Sequence, residues 1–306
     1  MGQSINKSEE YKALQSNTAN KIHISFSEFN LFNQCGHRHL LEKKLGILQQ
    51  PPSIHLYFGN AIHASIETAL KEHLDINKRV EFFRSTFTKD MMDNMKDTPD
   101  FKNNFYDFLD QGEHILRILD FEKILSDYEI VAIEEALYEN VHLNYYFKGF
   151  IDLVVRHKIT KKYKIIDWKT SGTDWVVSKK LKEKSFLAQM RFYKFFWGRK
   201  NEVPMDQIEC GYVVLNRLRD KKDAKSYPGR LQEVDVDSTP EEIKDSLENL
   251  AETIKMIHID KNFPKVKQIS GTGGCIFCPL KGGKHPLCDS SEKQYKRILK
   301  EYKNKQ

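Results

Sequence analysis

The chain has 306 residues, 40% of them hydrophobic and 30% charged, with a formal net charge of +6. That length supports a large core, in one sizeable domain or two modest ones. The mild positive charge permits a polyanionic partner without requiring one, and no apolar run reaches the roughly 20 residues that a bilayer span needs, so no membrane partner is expected.

Residues 1–21 are polar and aperiodic and read as a flexible tail. They lack the apolar core of a signal peptide, which predicts the cytoplasm, or the host cell's cytoplasm if the source is viral. Disulfides are rare in that reducing compartment, so the five cysteines (35, 210, 275, 278 and 288) read first as thiolates. Ser25 to Glu28 fits a capping box. It opens a helix carrying Phe29, Phe32, Leu40 and Leu41, with Cys35 on it. After Pro51-Pro52 a second helix is expected over 59–74, and residues 77–127 look helical, with aromatic anchors at Phe82, Phe105, Phe108 and Phe121.

The character then changes. Residues 130–138, 141–155 and 163–167 are β-branched and aromatic segments separated by polar turns. A helix over 179–198 follows, then strands at 208–215 and 231–236. Thr239-Pro240-Glu241-Glu242 starts a last helix, with a cap, a first-position proline and a glutamate at the third position, running to His258. A Gly/Cys-rich segment closes the chain. The expected organisation is a tail over 1–21, a single domain over 22–290 with a helical insertion at about 75–128, and a basic tail over 291–306.

Two of the strands carry carboxylates among aliphatic residues: Gly149-Phe150-Ile151-Asp152 and Ile165-Ile166-Asp167-Trp168-Lys169. A buried carboxylate is costly unless it is hydrogen-bonded, paired or metal-bound. Two on the adjacent strands of a hairpin can converge on one cation, and Mg²⁺ favours a few carboxylates while keeping room for phosphate. Lys169 shares the strand face of Asp167, where an ammonium can stabilise charge developing on phosphate. Taken alone, D-x-K is far more often a pair of surface acids beside a lysine salt bridge. The segment Gly59 to His63 puts a histidine early on a helix with Glu67 one turn later, and Gln189 and Tyr193 share one helical face.

In order, G-x-x-x-H, G-x-x-D, D-x-K and Q-x-x-x-Y resemble the motifs of the RecB-type PD-(D/E)XK nucleases. That group includes the nuclease domains of RecB and AddB, the CRISPR-associated exonucleases and the eukaryotic replication helicase-nucleases. The resemblance covers residues 24–289. It implies an α/β restriction-endonuclease-like core, a central mixed β-sheet flanked by helices. It further implies that His63, Asp152 and Asp167 ligate Mg²⁺ or Mn²⁺, with the Trp168 carbonyl as a further oxygen, and that Lys169 is the catalytic lysine. Gln189 and Tyr193, with Glu67 nearby, support the site and contact DNA. The activity implied is metal-assisted hydrolysis of DNA phosphodiesters, by an exonuclease acting on single strands or ends in recombination, repair or spacer processing.

Cys275 and Cys278 form a C-x-x-C-P, with Cys288 downstream and Cys35 far upstream. This one-plus-three plan resembles that of AddB and the CRISPR-associated exonucleases, which implies a [4Fe–4S] cluster clipping the N- and C-terminal regions together. The spacing before Cys288 is longer than in those relatives, so a Zn²⁺ site, with four thiolates or with His285, stays open. Cys210 reads as a plain buried thiol. Arg217, Arg219, Lys221, Lys222, Lys225 and Arg230 line an expected hairpin that could track phosphates, and Trp175 or Tyr227 could stack on unpaired bases. There is no nucleotide-binding G-x-x-x-x-G-K-[ST], so any motor this chain works with, a helicase or a recombinase, acts in trans. The alternative reading is a catalytically silent nucleic-acid-binding module or accessory subunit with a structural zinc or iron–sulfur site.

Overall fold

The computed structural model describes residues 22–46, 48, 53–94, 101–172, 175–181, 183–217, 231–265, 297 and 300. In chain order the elements begin with β1 (Ile22–Ser25), α1 (Phe26–Gln34), α2 (Gly36–His39), α3 (Ile54–Glu72), α4 (Ile76–Asp93), α5 (Phe101–Ile118) and α6 (Phe121–Ile124). Strands β2 (Tyr128–His142), β3 (Tyr145–His157) and β4 (Tyr163–Ser171) follow. Then come α7 (Val177–Lys180), α8 (Lys184–Lys200), β5 (Ile208–Asn216), β6 (Leu231–Asp235) and α9 (Pro240–Ile254). No helix among the described residues is long and apolar enough to cross a membrane.

The chain forms two compact units. The larger comprises Pro51–Leu137 and Gly149–Ser246, the smaller Met1–Gln50, Tyr138–Lys148 and Leu247–Gln306. In the larger unit the strands follow β2-β3-β4-β5-β6. β3 and β4 are antiparallel, β4 and β5 parallel, and β5 and β6 antiparallel, so the sheet is mixed. The parallel pair needs a crossover, which α7 and α8 supply. One sheet face presents Leu153, Val155, Ile166, Trp168, Val213 and Leu215 to a core filled by α3, α4 and α5. Phe58, Phe83, Phe87 and Phe108 interlock there by stacked and edge-to-face contacts. Burying each ring contributes roughly 2–3 kcal/mol. The opposite face meets α8, through the Tyr212 hydroxyl bonded to the Phe186 carbonyl at 2.7 Å.

Local chemistry sets the helix ends. Ser53 caps α3, which begins five residues earlier than its apolar pattern suggested, and His73 ends it in the left-handed region at φ 53°. Asp75 caps α4 by accepting from the Asn77 and Lys78 amides. Thr239 and Glu242 form a reciprocal capping box at α9. The helix expected over 179–198 is two helices, because Glu183 is extended (φ −80°, ψ 105°) and starts α8 afresh.

In the smaller unit β1 runs parallel to the first residues of β3, Ile22 opposite Tyr145 and Ser25 opposite Lys148. Ser25 caps α1 as expected, but the Glu28 carboxylate turns away to His39 Nε2 at 2.8 Å, so only half of the capping box forms. Cys35 is not on a helix. It is extended (φ −167°, ψ 108°) between α1 and α2. The cause is the segment crossing at Phe263–Pro264: a Cβ at Gly36 would lie 2.9 Å from the Pro264 nitrogen, and the His37 amide donates to the Pro264 carbonyl.

Two histidines of this unit, His258 half-buried and His23 at the surface, are expected to make it acid-sensitive. Burial, then the Lys44 charge, pushes the His258 pKa down to about 4, and its Nε2 is buried without a hydrogen-bond partner. Burial likewise lowers His23, with Lys148 adding to it. A histidine whose folded pKa lies below its unfolded value contributes stability above pH 6.5 that is lost as pH falls toward 4. Thermal melts across that range should show His258→Phe losing less stability than wild type, by on the order of 1–2 kcal/mol after solvent screening. Parallel losses in the two proteins would contradict this.

Candidate active site

The site lies in the larger unit, and strand geometry builds most of it. Leu153 pairs with Ile166 and Val154 with Ile165. Side chains alternate along a strand, so Asp152, Asp167 and Lys169 fall on one face of the sheet. On β5, Tyr212 sits opposite Asp167 on that same face. The aliphatic residues between them face the opposite way and anchor both strands in the core, which holds the acids in place.

Asp152 Oδ2 accepts the Trp168 backbone N–H at 2.8 Å and lies 3.3 Å from His63 Nδ1 of α3. Asp167 is 2% exposed. Its Oδ1 accepts from Gln189 Nε2 of α8 at 2.8 Å, and its Oδ2 lies 2.5 Å from Lys169 Nζ but in no hydrogen-bond alignment. Gln189 Nε2 also reaches the Tyr193 hydroxyl at 3.1 Å, and the Tyr212 hydroxyl lies 3.4 Å from Gln189 Oε1. Lys169 Nζ stands 5.6 Å from the centre of the Tyr212 ring.

The two acids differ. Burial pushes the Asp167 carboxyl up to about 6; Lys169 opposes that shift and Asp152 adds to it. Burial also works against an ionised Asp152, but His63 outweighs it and holds Asp152 below its ordinary value. Burial alone would lower His63, and the neighbouring Asp152 charge raises it instead. Tyr193 is raised well above its usual range by burial and then by Asp167, so its hydroxyl keeps its proton. Oppositely displaced carboxyls in one pocket are a common feature of sites that handle protons and cations.

The structure thus brings together His63, Asp152, Asp167, Lys169, Gln189 and Tyr193. Glu67 carries an ion pair with Lys71 at 2.9 Å. Arg217 lies over Phe108, 4.5 Å from the ring centre. Arg219, Lys221, Lys222 and the rest of the expected basic hairpin, Tyr227 included, fall outside the described residues, as do Cys275, Cys278 and Cys288. Cys210 is buried, its thiol pushed up to about 12 by burial. The sequence does not single out Tyr212, Phe186 and Gln232, because only the pairing of β4 with β5 and of β5 with β6, and the packing of α8 on Tyr212, reveal them as neighbours.

A family model described as the PD-(D/E)XK nuclease superfamily matches residues 23–282. The chain belongs to that superfamily. Among solved structures this nuclease is similar to the crystal structure of a candidate exonuclease from Eubacterium rectale. The TM-score is 0.51 at 16% identity, over 92% of this chain and 93% of that one. At that identity the likeness concerns the fold. Comparison with curated protein sequences finds no match.

Members of this superfamily use divalent metal, and the residues present suit one. Asp167 Oδ2 is buried without an aligned hydrogen bond, Asp152 stays ionised, and His63 presents a ring nitrogen beside it. The two carboxylates are oxygen donors suited to Mg²⁺ or Mn²⁺, and the imidazole would add a nitrogen donor beside them. As placed, no three His, Cys, Asp or Glu side chains among the described residues group closely enough to hold one ion together.

Proposed function

We propose that this nuclease is a Mg²⁺- or Mn²⁺-dependent DNA exonuclease, acting on single strands or ends, with His63, Asp152 and Asp167 as metal-holding residues and Lys169 as the catalytic lysine. The observation that carries the reading is the pair of buried acids on neighbouring strands, one ionised and one near pH 6, beside a lysine whose ammonium reaches Asp167. The name given to the structural neighbour from Eubacterium rectale supports the exonuclease part of the proposal.

A divalent ion, when bound, supplies charge neutralisation for the phosphate and activation of water. The chain does the rest. The Trp168 amide and His63 fix the Asp152 carboxylate, and Gln189, backed by Tyr193, fixes Asp167. Lys169, about one-third exposed, can turn toward the scissile phosphate and stabilise the charge that develops there. Digestion of end-labelled single- and double-stranded DNA with each divalent ion tests the reading. Metal-dependent release from ends is expected; cutting confined to internal positions would remove the exonuclease assignment.

In the same reading Cys35, Cys275, Cys278 and Cys288 hold a [4Fe–4S] cluster. Supporting it, Cys35 lies beside the segment at Pro264 that leads toward Cys275, eleven residues on. Such a span reaches at most about 36–40 Å when extended, so the chain does not restrict that approach tightly. Protein purified without oxygen should be brown with broad visible absorbance. A colourless protein with one stoichiometric zinc would overturn the iron assignment. Partners acting in trans, a helicase or recombinase, complete the proposal.

A further inference from the structure

Beside the candidate catalytic lysine stands an aromatic wall that the chemistry above does not use. Tyr212, whose ring lies under Lys169, stacks on Phe186 at 4.2 Å. Trp175 meets both rings nearly edge-on, at 5.0 Å from Phe186 and 5.7 Å from Tyr212. Lys180 Nζ sits over the indole, 5.2 Å from its ring centre, while also pairing with Glu183 Oε2 at 3.0 Å.

Trp175 is held by its backbone. Its N–H donates to Gln232 Oε1 at 2.8 Å, and Gln232 Nε2 donates back to its carbonyl at 3.0 Å. Gln232 is in turn fixed in β6, opposite Val214. The segment is therefore docked on the sheet without needing the indole, yet the ring is only partly buried. The other two tryptophans, Trp168 and Trp197, are each 1% exposed. A rigid, partly exposed indole next to a catalytic centre, with one ammonium over it and another one ring away, matches the chemistry of a nucleobase flanked by phosphates.

We propose that Trp175, locked by Gln232 and flanked by Lys180, is the platform on which an unpaired nucleobase next to the scissile phosphate stacks. The proposal rests on the nuclease reading of the adjacent site. It makes Trp175 a determinant of substrate class, because a base still stacked and paired in a duplex cannot lie on the indole. Single-stranded or frayed ends then bind, and intact duplex does not.

The test uses the full-length Asp152→Asn protein, which binds without cutting, titrated with a single-stranded thymidine oligonucleotide and with an abasic strand of equal length. Because Trp168 and Trp197 are buried, the ligand-sensitive tryptophan emission belongs to Trp175. The base-bearing strand should quench that emission, and the abasic strand should bind about tenfold more weakly and quench little. Trp175→Ala should lose about tenfold in affinity for the base-bearing strand and nothing further for the abasic one, while Trp175→Phe should recover most of the affinity. Gln232→Leu should leave the emission more open to acrylamide and bind intermediately. Equal affinity for both strands, or a Trp175→Ala protein that binds as the parent does, overturns the platform and leaves the nuclease reading standing. A protein that binds no DNA at all overturns both.

Discussion

Lys169→Ala should lower the rate of DNA cleavage by about 10³ at saturating substrate while leaving Mn²⁺ binding and the fold in place. The magnitude is that expected when one preorganised charge aimed at a developing oxyanion is removed, roughly 10²–10³, with the positioning of water adding to it. The effect belongs in kcat rather than KM, because the ammonium is bound to Asp167 at 2.5 Å before substrate arrives and acts on phosphate only during the reaction. The apo protein tolerates the change because Asp167, already pushed up to about 6 by burial, takes a proton once its lysine neighbour is gone. Steady-state kinetics alongside a Mn²⁺ titration separates the roles. A loss of Mn²⁺ affinity with unchanged turnover at saturating metal would make Lys169 a structural partner of the acid and not a catalytic residue.

Gly112→Ala should destabilise the larger unit by about 3 kcal/mol, a fall in Tm of about 6–10 °C. Glycine to alanine inside a helix ordinarily stabilises by about 1 kcal/mol, so the sign is diagnostic. Gly112 lies on α5, and a Cβ there would sit 2.0 Å from Phe83 Cζ and 2.4 Å from Cε1. The Phe83 ring is fully buried, stacked on Phe87 at 5.5 Å and edge-on to Phe58 at 5.9 Å, so it has nowhere to move. Adding Phe83→Leu should recover part of the loss, as coupled neighbours do. A thermal midpoint within 1–2 °C of wild type would show that the core relaxes more readily than its packing implies.

The elements that set the site were legible in the sequence where chemistry and periodicity agreed. Asp167 and Lys169, two residues apart in a β-branched run, had to share a face, and the polar turn after His157 made β3 and β4 a hairpin that brings Asp152 to them. Gln189 and Tyr193 were legible as a helical i,i+4 pair. His63 rested on motif order alone, since a helical histidine carries no local signal, and its place beside Asp152 came only with the fold. What the sequence could not disclose lies across non-local contacts. Tyr212 joins Asp167 through a parallel pairing separated by α7 and α8, and Gln232 grips Trp175 from a strand 57 residues away. Cys35 looked helical because the Pro264 crossing that breaks α1 from α2 arrives from some 230 residues downstream. Glu28 had the spacing of a capping box, but the buried His39 drew its carboxylate away.

The nuclease chemistry proposed for this chain depends on a divalent ion and on the acids that flank the β3–β4 turn. Its most direct test is cleavage of end-labelled single-stranded DNA by wild type and by Asp152→Asn, purified in parallel and assayed with Mg²⁺, with Mn²⁺ and with excess chelator. The isosteric variant keeps an acceptor for the Trp168 amide and removes only the charge. Wild type should cut when either ion is added and stop on chelation, with the variant slower by at least about 10³. Wild type inert with every divalent ion, or a variant that cuts as fast as wild type, would contradict the account.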